Sequence, residues 1–296
     1  MDRGTVSVLI YDGQGAVPHS VLGLAACAES YLRLTGATDA AFLRRVSGED
    51  LDREETFAGA RFFLMPGGPS TLFRGALHPG NRASHLRRFV EAGGIYFGVC
   101  GGAYLACGAV AFDEGGLYER RVRDAILNFF PKTCRGPIFP DFSATGPVGV
   151  HAVPMRLCGA PPPATVVSYY HGGGYFDGTE SCGDAVQVLA GYDLEKNDGR
   201  AAIVRCRVGN GLAILCGPHL EYAPSVAEEQ LAQCRAERSS YDWSVVGNCG
   251  GGEPSPVELE LEKIVAAGTA GQELLVHMLC DPAGPIFDGG SATQNF

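Results

Sequence analysis

The chain has 296 residues, of which 46% are hydrophobic and 19% charged, and a formal net charge of −10. That balance describes a compact globular protein with enough core for one large or two small domains, and excludes a disordered one. The acidic excess argues against nucleic acid or an anionic membrane as partner, and the basic cluster from Arg82 to Arg88 reads as the wet face of a helix.

No apolar run reaches the ~18–20 residues that span a bilayer, and no secretory signal is expected at the N-terminus. Eleven cysteines without CxxC pairs read as free thiols in a reducing, cytoplasmic compartment. The paired short spacings of a zinc site are missing, so no metal and no cofactor are expected.

Taken in order, residues 6–11 form a predicted strand closed by Asp12-Gly13-Gln14-Gly15. Ser20 is placed to cap the helix that follows. Residues 42–46 and 62–65 are further strands, the second ending in Pro66-Gly67-Gly68-Pro69. A helix over 84–92 leads into a strand at Ile95, which stops at Gly98, and the apolar residues 103–110 have helical length. Strands alternating with helices predict a parallel sheet with right-handed crossovers, whose ligands collect at the carboxyl ends of the strands. Asp12–Gly15, Pro66–Pro69 and Cys100 therefore belong on one edge.

Beyond Leu117 the pattern changes. Residues 129–137 read as a loop rich in Pro and Gly; strand-length segments follow at 148–157, 165–170, 186–192, 202–208 and 212–216. Gly209-Asn210-Gly211 marks a tight hairpin turn. The middle of the chain is thus expected to be a β-rich, largely antiparallel part of the same domain. Residues 223–296 are expected as a helical extension, with helices over 227–238 and 257–280 and a Gly-rich loop near 248–252. The whole of 1–296 is read as a single domain.

Gly98-Val-Cys100-Gly-Gly102 has the Gly-x-Cys-x-Gly spacing of a nucleophile elbow, a strained strand-to-helix turn that lifts its central side chain off the sheet. Glycine is required at the flanks because a Cβ there would strike neighbouring backbone. The free N–H groups of the helix that follows favour the thiolate. The second strand end with polar residues is Cys216-Gly-Pro-His219-Leu-Glu221. A histidine there can take the thiol proton, and a carboxylate two residues on can hold the imidazole in the needed tautomer. Without the cysteine elbow, His-x-Glu is an ordinary pair of loop residues.

Together these residues resemble the class I glutamine amidotransferase-like fold. Four motifs in order, Phe97-Gly-Val-Cys-Gly-Gly-Ala-Tyr104, Asn128-Phe-Phe-Pro-Lys-Thr-Cys-Arg-Gly-Pro137, Tyr170-His-Gly-Gly-Gly174 and Gly217-Pro-His-Leu-Glu-Tyr222, resemble the N-terminal domain of eukaryotic biotin–protein ligases. The resemblance covers about residues 5–225. It implies an α/β, flavodoxin-like fold: a mainly parallel central sheet with helices on both faces and an antiparallel β extension. It further implies that Cys100 attacks a carboxamide carbonyl to give a thioester, that His219 shuttles the proton, and that Glu221 orients His219. Backbone N–H groups of Gly67, Gly68 and Gly101 are the oxyanion-hole candidates. Tyr104, Arg135, His171 and Gly172 are candidates for binding a small amide or carboxylate substrate, with a salt bridge as the structural alternative for Arg135.

Two residues depart from the pattern. Working amidotransferases usually carry glutamine four residues past the cysteine, where this chain has Tyr104; their His-Pro-Glu is here His219-Leu-Glu221. Nothing after residue 225 matches a biotin ligase catalytic domain, so the chain is not expected to ligate biotin by itself. An amide hydrolase or transferase and a non-catalytic module that binds a small molecule, a biotin ligase or an acceptor protein both stay open. A redox sensor at Cys100 is the third reading. The His-Gly-Gly-Gly of residues 171–174 lacks the Gly-x-Ser-x-Gly of esterases, and Gly67-Gly68 lacks the Lys-Ser/Thr of a phosphate-binding loop.

Overall fold

A computed structural model describes residues 7–36, 43–159, 164–195, 199–240 and 254–285. The first half alternates: β1 (Ser7–Tyr11), α1 (Pro18–Leu34), β2 (Leu43–Val46), β3 (Ala60–Met65), α2 (Ser70–Leu77), α3 (Arg82–Glu91), β4 (Ile95–Val99) and α4 (Gly101–Leu105). Strands then follow one another: β5 (Cys107–Phe112), β6 (Arg120–Val122), β7 (Phe130–Gly136), β8 (Val150–Leu157), β9 (Thr165–His171), β10 (Tyr175–Asp177), β11 (Val186–Tyr192), β12 (Ala201–Val208) and β13 (Gly211–Cys216). Three helices end the described chain: α5 (Pro224–Ser240), α6 (Pro256–Ala267) and α7 (Ala270–Cys280).

β2, β1, β3, β4 and β13 lie side by side in that order, every neighbouring pair parallel. This is the flavodoxin-like strand order, with β13 in the fifth place. The inner strands are largely apolar because both faces are covered, whereas the edge strand β2 exposes Arg44 and Arg45. Val8, Ile10, Leu64 and Phe97 join the core beneath α1 and α7. Leu9, Met65 and Tyr96, one position out of phase, join the core beneath α2 and α3.

Past β13 the sheet continues through β12, β10, β7, β5 and β6. It is antiparallel except where β5 runs parallel to β7. β11, β8 and β9 branch from β12 as an antiparallel set. The hairpin expected at Gly209-Asn210 joins β12 to β13, with Val208 opposite Gly211. Helices α5 and α6 cover β8 and β9 through Leu231, Leu261 and Ile264.

The expected helix over 103–110 is corrected. It ends at Leu105, and residues from Cys107 form β5. Gly108 weakens a helix, and its backbone sits so close to Pro131 that a Cβ would lie 3.0 Å from that residue's carbonyl carbon. The same pairing turns most of the predicted 129–137 loop into β7. Ser20 does not cap α1: Val17 is the N-cap residue, and Pro18 opens the helix. The predicted helix over 257–280 is two helices, parted at Gly268. Val6, Phe42 and the Gly-rich stretch at 248–252 lie outside the described residues.

Candidate active site

Cys100 stands between β4 and α4 at φ 47° and ψ −107°, a conformation that costs an L-residue on the order of 1–3 kcal/mol. The neighbours hold it there. Its N–H donates to the Cys216 carbonyl at 2.8 Å, and its own carbonyl accepts from the Tyr104 N–H at 3.0 Å. A Cβ on Gly98 would lie 2.8 Å from the Gly102 oxygen, and one on Gly102 would lie 2.5 Å from the Met65 oxygen. The elbow can form only with those positions bare.

His219 follows β13 and is bridged to β9: its N–H donates to the Tyr169 carbonyl at 2.8 Å, and Ser168 Oγ donates to its carbonyl at 3.0 Å. Its ring is stacked on Tyr222 with centroids 4.5 Å apart and meets the edge of Tyr169 at 5.9 Å. Nδ1 lies 2.8 Å from Glu221 Oε1. Cys100 lines the same pocket as the ring and lies near enough to act on it by charge. Burial alone would push this imidazole down. The Glu221 carboxylate and then the Cys100 sulfur outweigh burial and raise it to about 10. The ring is therefore protonated at neutral pH.

Glu221 is completely buried. Ser20 Oγ, on α1, donates to Oε1 at 2.5 Å and accepts the Gly67 N–H at 2.8 Å. One hydroxyl thus ties the carboxylate to the loop after β3. Helix α1 reaches this close because Gly23 has no side chain: a Cβ there would sit 2.2 Å from the Glu221 carbonyl oxygen. From α7, Gln272 Nε2 donates to the same carbonyl at 3.2 Å. Cys27, also on α1, has its thiol pushed up to about 12 by burial and then by Glu221. It remains a neutral thiol.

The three loop ends expected on one edge meet there. A Cβ on Gly68 would strike the Gly15 carbonyl oxygen, and one on Gly101 would strike that of Gly68. The oxyanion expectation narrows, however: Gly67 N–H is already committed to Ser20 Oγ, which leaves Gly68 and Gly101 as the donors beside Cys100.

Over this edge lies a pocket of about 420 Å³, lined in part by Cys100, His219, Tyr104, His171 and Gly172. Tyr104 donates its hydroxyl to the Gly172 carbonyl at 3.2 Å, so it contributes its ring rather than a free polar group. The His171 carbonyl oxygen is 3.7 Å from Cys100 Sγ. Burial and then the charge of His219 lower the His171 imidazole, which stays neutral at pH 7. Arg135 is not in the pocket lining. Strand β7 turns it toward solvent, where it pairs with Asp177 at 2.7 Å and Glu114 at 2.8 Å. That is the salt-bridge alternative, because two carboxylates already occupy the guanidinium.

Sequence reasoning missed Ser20, Tyr169 and Tyr222. Tyr222 was within reach, as the residue after Glu221 in a quoted motif. Ser20 carries no sequence signal for its role, since its partner is 201 positions away. We predict that Ser20→Ala, which orphans the Gly67 N–H and strips a donor from Glu221, lowers stability by about 1–3 kcal/mol. Denaturant unfolding measures this; an unchanged midpoint would show that the hydroxyl does not matter.

Among the described residues no helix is long and apolar enough to cross a membrane. No cluster of three or more His, Cys, Asp or Glu side chains there could hold a metal ion.

Fold and site define a flavodoxin-like α/β protein with a cysteine elbow beside a His–Glu pair at the carboxyl edge of its sheet. The chain belongs to the family described as the N-terminal region of biotin–protein ligases, whose profile matches residues 6–244. An uncharacterized protein of Chlamydia muridarum is 33% identical over 245 residues, covering 78% of this chain and 87% of that one. A biotin–protein ligase of Schizosaccharomyces pombe is 30% identical over 246 residues, covering 82% of this chain but 38% of the ligase. The chain therefore matches well under half the length of that enzyme. Among solved structures, a glutamine amidotransferase aligns over 77% of this chain and 98% of its own, with a TM-score of 0.46 and 20% identity.

Proposed function

We propose that this chain is a cysteine-dependent hydrolase or transferase of amides or related acyl groups. The observation that carries the reading is the buried Glu221–His219 hydrogen bond set against a strained Cys100 that is itself partly open to the pocket. In the first step the Cys100 sulfur adds to the carbonyl carbon, and the oxyanion is held by the N–H groups of Gly68 and Gly101. In proteases one such donor is worth roughly 3–4 kcal/mol. The C–N bond then breaks while protonated His219 gives its proton to the departing amine, leaving a thioester. Water or an amine next adds to the thioester; His219 takes the proton from it, and the Cys100 thiolate leaves. The ten free thiols among the described residues suit a reducing compartment such as the cytoplasm.

A second reading rests on Tyr104, whose hydroxyl is tied to Gly172: a module that binds a small molecule, or works beside a biotin ligase, without turnover. Limited alkylation with iodoacetamide, read by peptide mass spectrometry, separates the two. We expect Cys100 to react about tenfold or more faster than the exposed Cys158 and Cys280, whose thiols burial of their sulfurs pushes up. Reaction at Cys100 no faster than at those two would overturn the catalytic reading.

A further inference from the structure

The pocket over Cys100 has a lining that says more than the reactive trio does. Strand alternation puts Val110 and Phe112 of β5 on the pocket side, with Ala111 away from it. β6 pairs antiparallel with β5, Phe112 opposite Arg120 and Val110 opposite Val122, so Arg120 and Val122 join the same wall. The intervening Arg121 is paired with Glu114 and Glu119. Arg120 makes no hydrogen bond or ion pair among the described residues.

Between Arg120 and the reactive end runs a chain of rings. Tyr104, one helical turn past Cys100, meets Phe112 edge-on at 5.7 Å. Phe112 meets Phe142 at 5.3 Å, and Phe142 lies 5.1 Å from the His171 ring. Among the described residues the lining contains no aspartate or glutamate. Glu221 stands behind His219, buried and already bonded to it and to Ser20.

We propose that the pocket takes a carboxamide with an apolar or aromatic body and a carboxylate at its far end, the amide placed at Cys100 and the carboxylate bound by Arg120. The inference rests on the reading of Cys100 as nucleophile for its orientation only. An unpaired guanidinium at the end of an apolar wall recognises an anion on an otherwise greasy ligand. Free glutamine fits poorly. Its α-ammonium would find no carboxylate in the lining, and its short polar body would leave the aromatic wall wet. The substituted Tyr104 position agrees with this, since the ring there extends the apolar surface and its hydroxyl is already used.

The test is binding, not turnover, so that it stands apart from the catalytic reading. Cys100→Ala protein, which cannot form a thioester, is titrated by calorimetry with the monoamides of succinic, adipic and suberic acid. The corresponding neutral diamides and L-glutamine are titrated alongside. At least one monoamide should bind about tenfold or more tighter than its diamide, the longer ones best, with glutamine weaker than either. Arg120→Gln in the same background should erase the preference and Arg120→Lys keep part of it. Equal binding of monoamides and diamides, a preference that survives Arg120→Gln, or glutamine as the best ligand would overturn the proposal. If instead these preferences hold while Cys100 in the unsubstituted protein alkylates no faster than Cys158, the site binds as proposed and only the catalytic reading fails.

Discussion

Replacing Glu221 with glutamine is expected to slow the alkylation of Cys100 at pH 7 about a hundredfold or more, while Cys158 and Cys280 react as before. The argument is electrostatic. The His219 ring is buried, and burial by itself favours the neutral imidazole. It is the Glu221 carboxylate 2.8 Å away, aided by the Cys100 sulfur, that raises it to about 10. Only Ser20 and His219 bond Oε1, and Oε2 makes no hydrogen bond among the described residues, so the carboxylate charge acts on the ring with little else to disperse it. Glutamine keeps the shape and removes the charge. Burial then prevails, the ring is neutral at pH 7, and the proton that must leave the thiol has no favourable place to go. An amide N–H aimed at Nδ1 would also fix the wrong tautomer.

The same substitution has a signature in stability. In the folded protein the His219 ring keeps its proton up to about pH 10, whereas in the unfolded chain it loses it near about 6.5. The stability this contributes is fully present below the unfolded value and is lost as pH rises through the folded one. The unsubstituted protein should therefore lose several degrees of Tm between about pH 7 and 10, and Glu221→Gln should lose less over that window. Alkylation of Cys100 in the variant at the unsubstituted rate, or parallel pH–Tm curves, would show that Glu221 does not govern the ring.

Much of the edge could be seen in the residues themselves. Gly-x-Cys-x-Gly encodes a turn whose flanks must lack Cβ, and the atoms that crowd Gly98 and Gly102 include the expected backbone carbonyls of Gly102 and Met65. The first four strands of the parallel half were legible because mostly apolar runs alternate with turn and helix signals. The fifth, β13, reads in sequence with the antiparallel segments, and only its pairing with β4 makes it parallel. β5 was not legible: Cys-Gly-Ala-Val-Ala-Phe suits helix or strand locally, and pairing with β7, more than 20 residues on, decides it. Arg135 misled for a related reason. A stiff Pro/Gly setting gave it a site-like look, but the direction of a strand side chain depends on register, which puts it with Asp177 and Glu114. Arg120, two strands along the same sheet, has the opposite phase and faces the pocket. A one-residue difference in register separates a surface ion pair from a site residue, and no local pattern records it.

Gly101→Ala is the substitution expected to do most harm per atom added. A Cβ there would stand 1.7 Å from the Gly68 carbonyl oxygen, and Gly68 cannot retreat, because a Cβ on it would in turn lie 2.0 Å from the Gly15 oxygen. The ends of β1, β3 and β4 are stacked backbone on backbone at this point, with Gly68 at φ +147°, where other residues are strained. One methyl group must therefore part the loop after β3 from the elbow, taking with it both proposed oxyanion donors and the Gly67–Ser20 bond that steadies Glu221. We expect a loss of about 3 kcal/mol or more, and slow Cys100 alkylation in whatever fraction folds. Gly75→Ala is the matched control. It adds the same methyl to α2 at an exposed position with nothing within 4 Å, and should stabilise the protein by about 0.5–1 kcal/mol through helix propensity. Chemical denaturation of the two variants side by side decides the matter: a Gly101→Ala protein as stable as Gly75→Ala would mean that the three loop ends do not pack as tightly as the edge requires.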